Sequence, residues 1–404
     1  MVAPLPSVKE ELAKSEVSII DLVNALIEQA HASRASDIHI EPTDKGIKVR
    51  LRIDGVLQDR FSFERRIHSE VISRIKVLSW LRTDEHQAAQ DGRFRLILQN
   101  GDPIDVRVSI TPTYYGENAV LRLLSDKAED FSLGKMGFSD ADQKKILHAV
   151  RRPHGMILAT GPTGSGKTTT LYALIKMLNT KDVSIITIED PIEYSVGDIT
   201  QIQINPRAGL TFAHGLRSIL RQDPNIIMVG EIRDAETASI AVNTALTGHL
   251  LLSTLHTNDA ATTLPRLLDM GVDAYLVAST VNVAIGQRLV RKICEKCKKK
   301  SVLTEAEQES LGRSLPEELK NNKVFYRGEG CEACGNTGYT GRVGINEVLM
   351  VDGEVREAIL RKASAAAIKE IAVKAGMTTM FEDGIRKAAL GLTTISEVLR
   401  TINE

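Results

Sequence analysis

Met156-Ile157-Leu158-Ala159-Thr160-Gly161-Pro162-Thr163-Gly164-Ser165-Gly166-Lys167-Thr168-Thr169 is the stretch on which the fold turns. A short apolar run, the length of a buried strand, breaks into a glycine-rich turn, and the helical pattern TTLYALIKML follows. From Gly161 to Thr168 the turn fits G-x-x-x-x-G-K-[ST], in the strand, loop and helix context that the pattern requires. Small residues let backbone N–H groups curl around phosphates at a helix N-terminus, where unpaired donors and the helix dipole favour anions. Gly161, Pro162, Thr163, Gly164, Ser165, Gly166, Lys167, Thr168 and Thr169 are therefore the candidate nucleotide-binding residues. Lys167 is expected to reach the β- and γ-phosphates, and the Thr168 hydroxyl to ligate Mg2+.

Outward from this loop, Met156 to Ala159, Ser184 to Ile188, Ile226 to Val229 and Leu250 to Ser253 are short apolar runs separated by helical segments. They predict an α/β domain with a parallel sheet covered on both faces. Upstream the pattern is different. After Ser18, a plausible N-cap, Ile19, Ile20, Val23, Leu26, Ile27 and Ala30 recur at helical spacing. Ile47, Val49, Leu51 and Ile53 then alternate with Lys48, Arg50 and Arg52 up to the turn signal Asp54-Gly55. Phe94, Leu96 and Leu98 lead to Asn100-Gly101, and Ile104, Val106, Val108 and Ile110 resume beyond it. Residues 1–125 thus read as an α+β domain on a mostly antiparallel sheet with arginine-bearing positions on its open face. Residues 126–137 read as a linker and 138–404 as the nucleotide-binding domain, ending in helices.

Three further clusters bear on chemistry. Ile188-Glu189-Asp190-Pro191-Ile192-Glu193 ends an apolar strand in three carboxylates, of which Glu193 is the candidate general base and Asp190 shapes the loop. Ile226 to Val229 runs into Gly230-Glu231; with glycine where many phosphate-loop enzymes carry a magnesium-binding aspartate, Glu231 is expected to organise the ion through water. His249 and His256 bracket the strand Leu250 to Ser253 and are candidate sensors of the γ-phosphate.

Cys294-x-x-Cys297 and Cys331-x-x-Cys334 have the spacing of a tetrahedral Zn2+ site in a small subdomain, 290–345, with a helical hairpin expected within 302–322. Four thiolates leave no open position, so the expected role is structural. Lys292, Lys296, Lys298, Lys299 and Lys300 make this lobe basic.

A formal net charge of -1 over 404 residues argues against a nucleic-acid-coating role, which needs a strong basic excess. Aromatic content of 4% disfavours a base-stacking channel. The N-terminal residues lack a signal-peptide pattern, and Asp273 and Asn282 interrupt the most apolar later stretch, 271–286. A cytoplasmic protein is expected.

Taken in order, the phosphate loop, ITIEDPIEY, VGEIRD and TGHLLLSTLHTND resemble the secretion ATPase superfamily of type II secretion, type IV pilus assembly and related motors. Ser36 to Pro42, LRIDGVL at 51–57, QDGRFR at 90–95 and GQRLVRKIC at 286–294 extend the resemblance over nearly the whole chain. It implies a PAS-like N-terminal domain tethered to a RecA-like ATPase domain, assembled as a homo-hexamer that binds ATP at domain interfaces. It also implies that Arg107 and Arg122 reach the phosphates from the N-terminal domain, and that the tetracysteine motif places the chain in the pilus-extension and type II secretion branch. The implied partners are inner-membrane platform and docking proteins, through which the motor associates peripherally with the inner membrane. Assembly members commonly carry a further docking domain at the N-terminus, and this sequence is expected to lack it. Two other classes remain open on the residues alone: a nucleic-acid-associated RecA-like motor, and a non-catalytic nucleotide-dependent scaffold.

Overall fold

In the computed structural model, which describes residues 7–13, 17–125, 132–303, 319 and 324–403, the chain separates into two units, Met1–Glu129 and Asp130–Glu404. The first opens with helices α1 (Val8–Leu12) and α2 (Ile19–Ala32), and the Ser18 side chain accepts the Asp21 N–H to cap α2 as the sequence predicts. Leu22, Leu26 and Ile27 are fully buried, each contributing about 1.5–3 kcal/mol relative to exposure. Ile20 departs from the expected stripe and is 53% exposed.

Six strands follow, β1 (Ala35–Pro42), β2 (Ile47–Ile53), β3 (Val56–Phe63), β4 (Gln90–Ile97), β5 (Pro103–Thr113) and β6 (Gly116–Ser125), with helix α3 (His68–Leu78) between β3 and β4. Their order is β3-β2-β1-β6-β5-β4, and every neighbouring pair is antiparallel. Asp54 and Gly55 both have positive φ, 50° and 85°, which joins β2 to β3 through the turn their sequence favours. Alternation decides the faces. Ile47, Val49, Leu51, Ile104, Val106, Val108 and Ile110 share one core with α2 and α3, and the intervening arginines lie on the other face.

The second unit begins with α4 (Asp140–Val150), capped by Ser139. It alternates β7 (Gly155–Thr160), α5 (Lys167–Leu178), β8 (Ile185–Glu189), β9 (Thr200–Gln203), α6 (Phe212–Ile219), β10 (Ile226–Val229), α7 (Ala235–Leu246), β11 (Leu250–Leu255), α8 (Thr263–Asp269) and α9 (Ala274–Thr280). Along β7, Met156 and Leu158 pack into one core and Ile157 and Ala159 into another, so the sheet is covered on both faces. That double burial explains why its strands read as continuous apolar runs.

With β12 at Val281–Ile293 and β15 at Tyr339–Met350, the sheet order is β15-β12-β7-β11-β10-β8-β9. Only the pairing of β12 with β15 is antiparallel; the rest is parallel. This long ribbon runs past the expected subdomain end at 345, since β15 continues to Met350 before the expected closing helices, Gly353–Leu360, Ala365–Lys374, Met380–Ala389 and Ile395–Asn403. Between the ribbon strands, β13 (Lys298–Val302) pairs with β14 (Val324–Gly328). The helical hairpin expected within 302–322 lies almost wholly outside the described residues, as does 126–131 of the expected linker; the remainder of that linker, 132–137, forms turns ahead of α4. Among the described residues no helix is long and apolar enough to cross a membrane.

Candidate functional site

Because β7, β8, β10 and β11 run parallel, their carboxyl ends lie along one edge of the sheet, where open α/β sheets hold ligands. Gly161 to Gly166, Asp190 to Glu193, Gly230 to Arg233 and His256 to Asn258 all leave the sheet at that edge. The phosphate loop is fixed by contact with β12. A Cβ on Gly161, whose φ is 144°, would sit 2.2 Å from the Gln287 carbonyl oxygen, so only glycine fits there. Gln287 itself is buried and accepts a hydrogen bond from Thr170 Oγ1 at 2.7 Å, tying β12 to α5.

Lys167 is buried, and its ammonium donates to the carbonyls of Gly161 and Pro162 at 2.8 and 2.9 Å. Burial pulls it down to about 8, against an opposing pull from Glu231. Beside it the buried Ser165 Oγ and Gln287 Nε2 have no hydrogen-bond partner among the described residues. A desolvated cation on two carbonyls, next to unpaired polar atoms at a helix N-terminus, is a fit for the oxygens of a polyphosphate. Thr168 and Thr169, in the first turn of α5, are half-buried, and Pro162, Thr163 and Gly164 are exposed on the loop.

The three carboxylates after β8 fall into different environments. Glu189 is buried and accepts from Thr187 Oγ1 at 2.5 Å, from Gln201 Nε2 at 3.2 Å and from the Tyr172 hydroxyl; burial nonetheless raises its pKa. Asp190 is exposed, 4.0 Å from Arg233 Nη1. Glu193 is exposed as well, and its backbone N–H donates to the same Tyr172 hydroxyl. Tyr172 therefore links α5 to the acidic loop, a role hidden in a sequence where it reads as one more apolar residue of a helix.

Glu231 is nearly buried, and one of its oxygens, Oε2, meets Arg233 Nε at 2.5 Å and His256 Nε2 at 3.2 Å. His256 is thus at the site edge beside an acid. His249 is not. It precedes β11, and its carbonyl accepts the N–H of Gly155 at the start of β7, so it stands at the amino edge, a full strand length from the loop. A six-residue strand spans roughly 20 Å, which removes His249 as a γ-phosphate sensor within this chain. Two histidines bracketing one strand look equivalent in sequence, and only the parallel register separates them.

In the first unit, Arg107 pairs in register with Arg122 on β6 and with Arg93 on β4; Arg122 in turn pairs with Asp37, and Asp37 with Arg52. Five charged positions thus form one row across the open face. Asp37 is buried among them, accepting from Arg122 Nε at 3.0 Å and lying 3.4 Å from Arg52 Nε. Arg93 belongs with Arg107 and Arg122, although from sequence it is only one of two arginines in QDGRFR.

All four cysteine sulfurs lie within 4.8 Å of one another. Cys294 to Cys331, Cys297 to Cys334 and Cys331 to Cys334 measure 3.9, 4.0 and 3.7 Å. A tetrahedral ion with metal–sulfur bonds of about 2.3 Å places its ligands about 3.8 Å apart, so the set fits one ion with no open position. The N–H groups of Cys331 and Gly338 point at Cys334 Sγ, at 3.2 and 3.3 Å; burial disfavours its thiolate, but these donors and the Cys331 and Cys297 thiols bring it down to about 6.

Comparison with known proteins shows the family. Residues 12–400 match the family described as Type II/IV secretion system protein. Type II secretion system protein E of Xanthomonas campestris pv. campestris is 48% identical over 392 residues, covering 96% of this chain and 68% of that protein. Type IV pilus assembly ATPase PilB of Thermus thermophilus is 46% identical over 397 residues, covering 98% of this chain and 44% of that protein. Among solved structures, the pilus retraction motor PilT with bound ADP superposes with a TM-score of 0.63 at 27% identity, over 93% of this chain and 96% of that one. The Legionella pneumophila ATPase DotB, at 24% identity, shares the fold with a TM-score of 0.68 over 96% of each chain. With the family match running over residues 12–400 and relatives 46–48% identical across nearly all of its length, this chain belongs to the type II/IV secretion system protein family.

Proposed function

We propose that the protein is an ATP-hydrolysing motor that works as a homo-hexamer and powers assembly of a type II secretion pseudopilus or a type IV pilus from the cytoplasmic side of the inner membrane. The observation that carries this reading is the buried Lys167 in a loop with unpaired Ser165 and Gln287 atoms, set at the carboxyl edge among Glu231, His256 and the acidic turn after β8. Gly161 to Thr169 hold the triphosphate, with Lys167 against its β- and γ-oxygens. Mg2+, when bound through Thr168, neutralises charge on those oxygens. Glu231, steadied by Arg233 and His256, would hold water beside that ion. Glu193, exposed on a turn whose backbone Tyr172 holds, takes a proton from the attacking water. Arg93, Arg107 and Arg122 are the residues proposed to add positive charge to the phosphate as it transfers. The four cysteines hold a structural Zn2+. Inner-membrane platform and docking proteins receive the work.

Steady-state phosphate release by the assembled protein tests the chemistry. Glu193→Gln is expected to lower kcat by about 10²–10⁴-fold while ATP still binds. Equal, near-zero release by both proteins points instead to a nucleotide-dependent scaffold, and strong stimulation by single-stranded DNA to a nucleic-acid motor.

A further inference from the structure

Glu347, on β15, is completely buried and has no part in the chemistry above. Its two oxygens accept backbone N–H groups from opposite directions, Ala260 at 2.7 Å and Met380 at 3.2 Å. Ala260 lies four residues after His256, and Met380 opens the helix Met380–Ala389. Space for the carboxylate comes from Gly286: a Cβ there would stand 2.8 Å from Glu347 Cγ and 3.0 Å from the Ala260 nitrogen. A buried carboxylate without such donors would cost several kcal/mol, so this arrangement is built rather than incidental.

The turn that Glu347 grips is bonded at its other end to the phosphate-loop strand. Thr160, the last residue of β7, donates through Oγ1 to the Thr257 carbonyl at 3.0 Å and accepts the Thr257 N–H at 3.2 Å. Thr257 Oγ1 is 2.9 Å from Thr263 Oγ1 in the same buried cluster. From the helix Ala365–Lys374, Lys369 Nζ reaches Asp259 at 3.4 Å. Hydrogen bonds at Thr257, Asp259 and Ala260, joined by the backbone of 257–260, therefore lead from the residue before Gly161 to the C-terminal helices.

We propose that Glu347 is a positioning residue that joins the turn 256–260 to the helix Met380–Ala389, so that nucleotide occupancy of the phosphate loop is felt in the C-terminal helices. The inference rests on the nucleotide-binding reading. Its test is amide hydrogen exchange of the full chain with and without Mg2+ and a non-hydrolysable ATP analogue. In the wild type the analogue slows exchange at 161–168 and also at 379–389, the latter by about fivefold or more, as for ordinary coupling between sites. Glu347→Gln keeps the shape but turns an NH₂ toward one of the two donors. It is expected to retain protection at 161–168 and lose the response at 379–389, with kcat reduced and KM for ATP unchanged. A general packing defect would not separate the two segments in this way.

Protection of 161–168 in the wild type without any response at 379–389 overturns the proposal, and that measurement needs no variant to fold. Lys369→Ala, which removes the half-exposed partner of Asp259, gives a second cut and is expected to weaken the response; a full response in both variants also overturns it. Absence of protection at 161–168 contradicts the nucleotide reading itself, a result distinct from the other two.

Discussion

Lys167 and the arginines of the first sheet place positive charge in two very different settings. Lys167 is buried, bonded to carbonyls of its own loop and lowered to about 8, inside a cradle whose shape is fixed by Gly161 against Gln287. Arg93 and Arg122 are exposed and Arg107 half-buried, and the register sets Arg107 directly opposite both of the others. Like charges facing each other across strands are destabilising. The cradle is thus complete before its ligand arrives, whereas the arginine row is tolerated because it is solvated and because Asp37 anchors one end. A preformed anion site suits ground-state binding, and a strip of partly exposed guanidinium groups suits charge that appears only during transfer.

Substitutions in the row sharpen this distinction. Arg107→Ala is expected to lower kcat for ATP hydrolysis by about 10²–10³-fold while leaving the affinity for ATP within a few-fold of the wild type. Equal losses in affinity and kcat would erase the contrast, because Arg107 would then be part of the binding cradle. A smaller effect is expected at Asp37, where the consequence is structural. Asp37→Asn leaves Arg52 and Arg122 without their shared carboxylate and should cost the first unit about 2 kcal/mol in denaturant unfolding. A change below about 0.5 kcal/mol, the size of an ordinary surface substitution, would mean that the row is held by something other than Asp37.

The sequence was most legible where local pattern and burial agree. The strands β7, β8, β10 and β11 are buried on both faces, so an uninterrupted apolar run could have no other explanation at that length, and a chemical motif sits at the carboxyl end of each. The hairpin at Asp54-Gly55 and the Ser18 cap were equally plain, since each depends on residues a few positions apart. Legibility failed where an assignment depends on distant pairing. The ribbon of β12 and β15 joins Val283 to Met350, and nothing local marks it. Gln287, Tyr172 and Arg93 acquire their places through neighbours in space, and Glu347 joins residues that lie 87 and 33 positions away. The misplacement of His249 has the same origin, for a strand's two ends are distinguishable only once the direction of its neighbours is known.

Equilibrium binding of ATP with Mg2+ to the wild type and to Lys167→Ala tests the account most directly. The wild type should bind, and the substitution should weaken binding by about 100-fold or more, because it removes a charge-assisted contact made in a desolvated loop. Equal affinity in the two proteins, or no binding by the assembled wild type, would contradict the claim that this cradle grips a triphosphate.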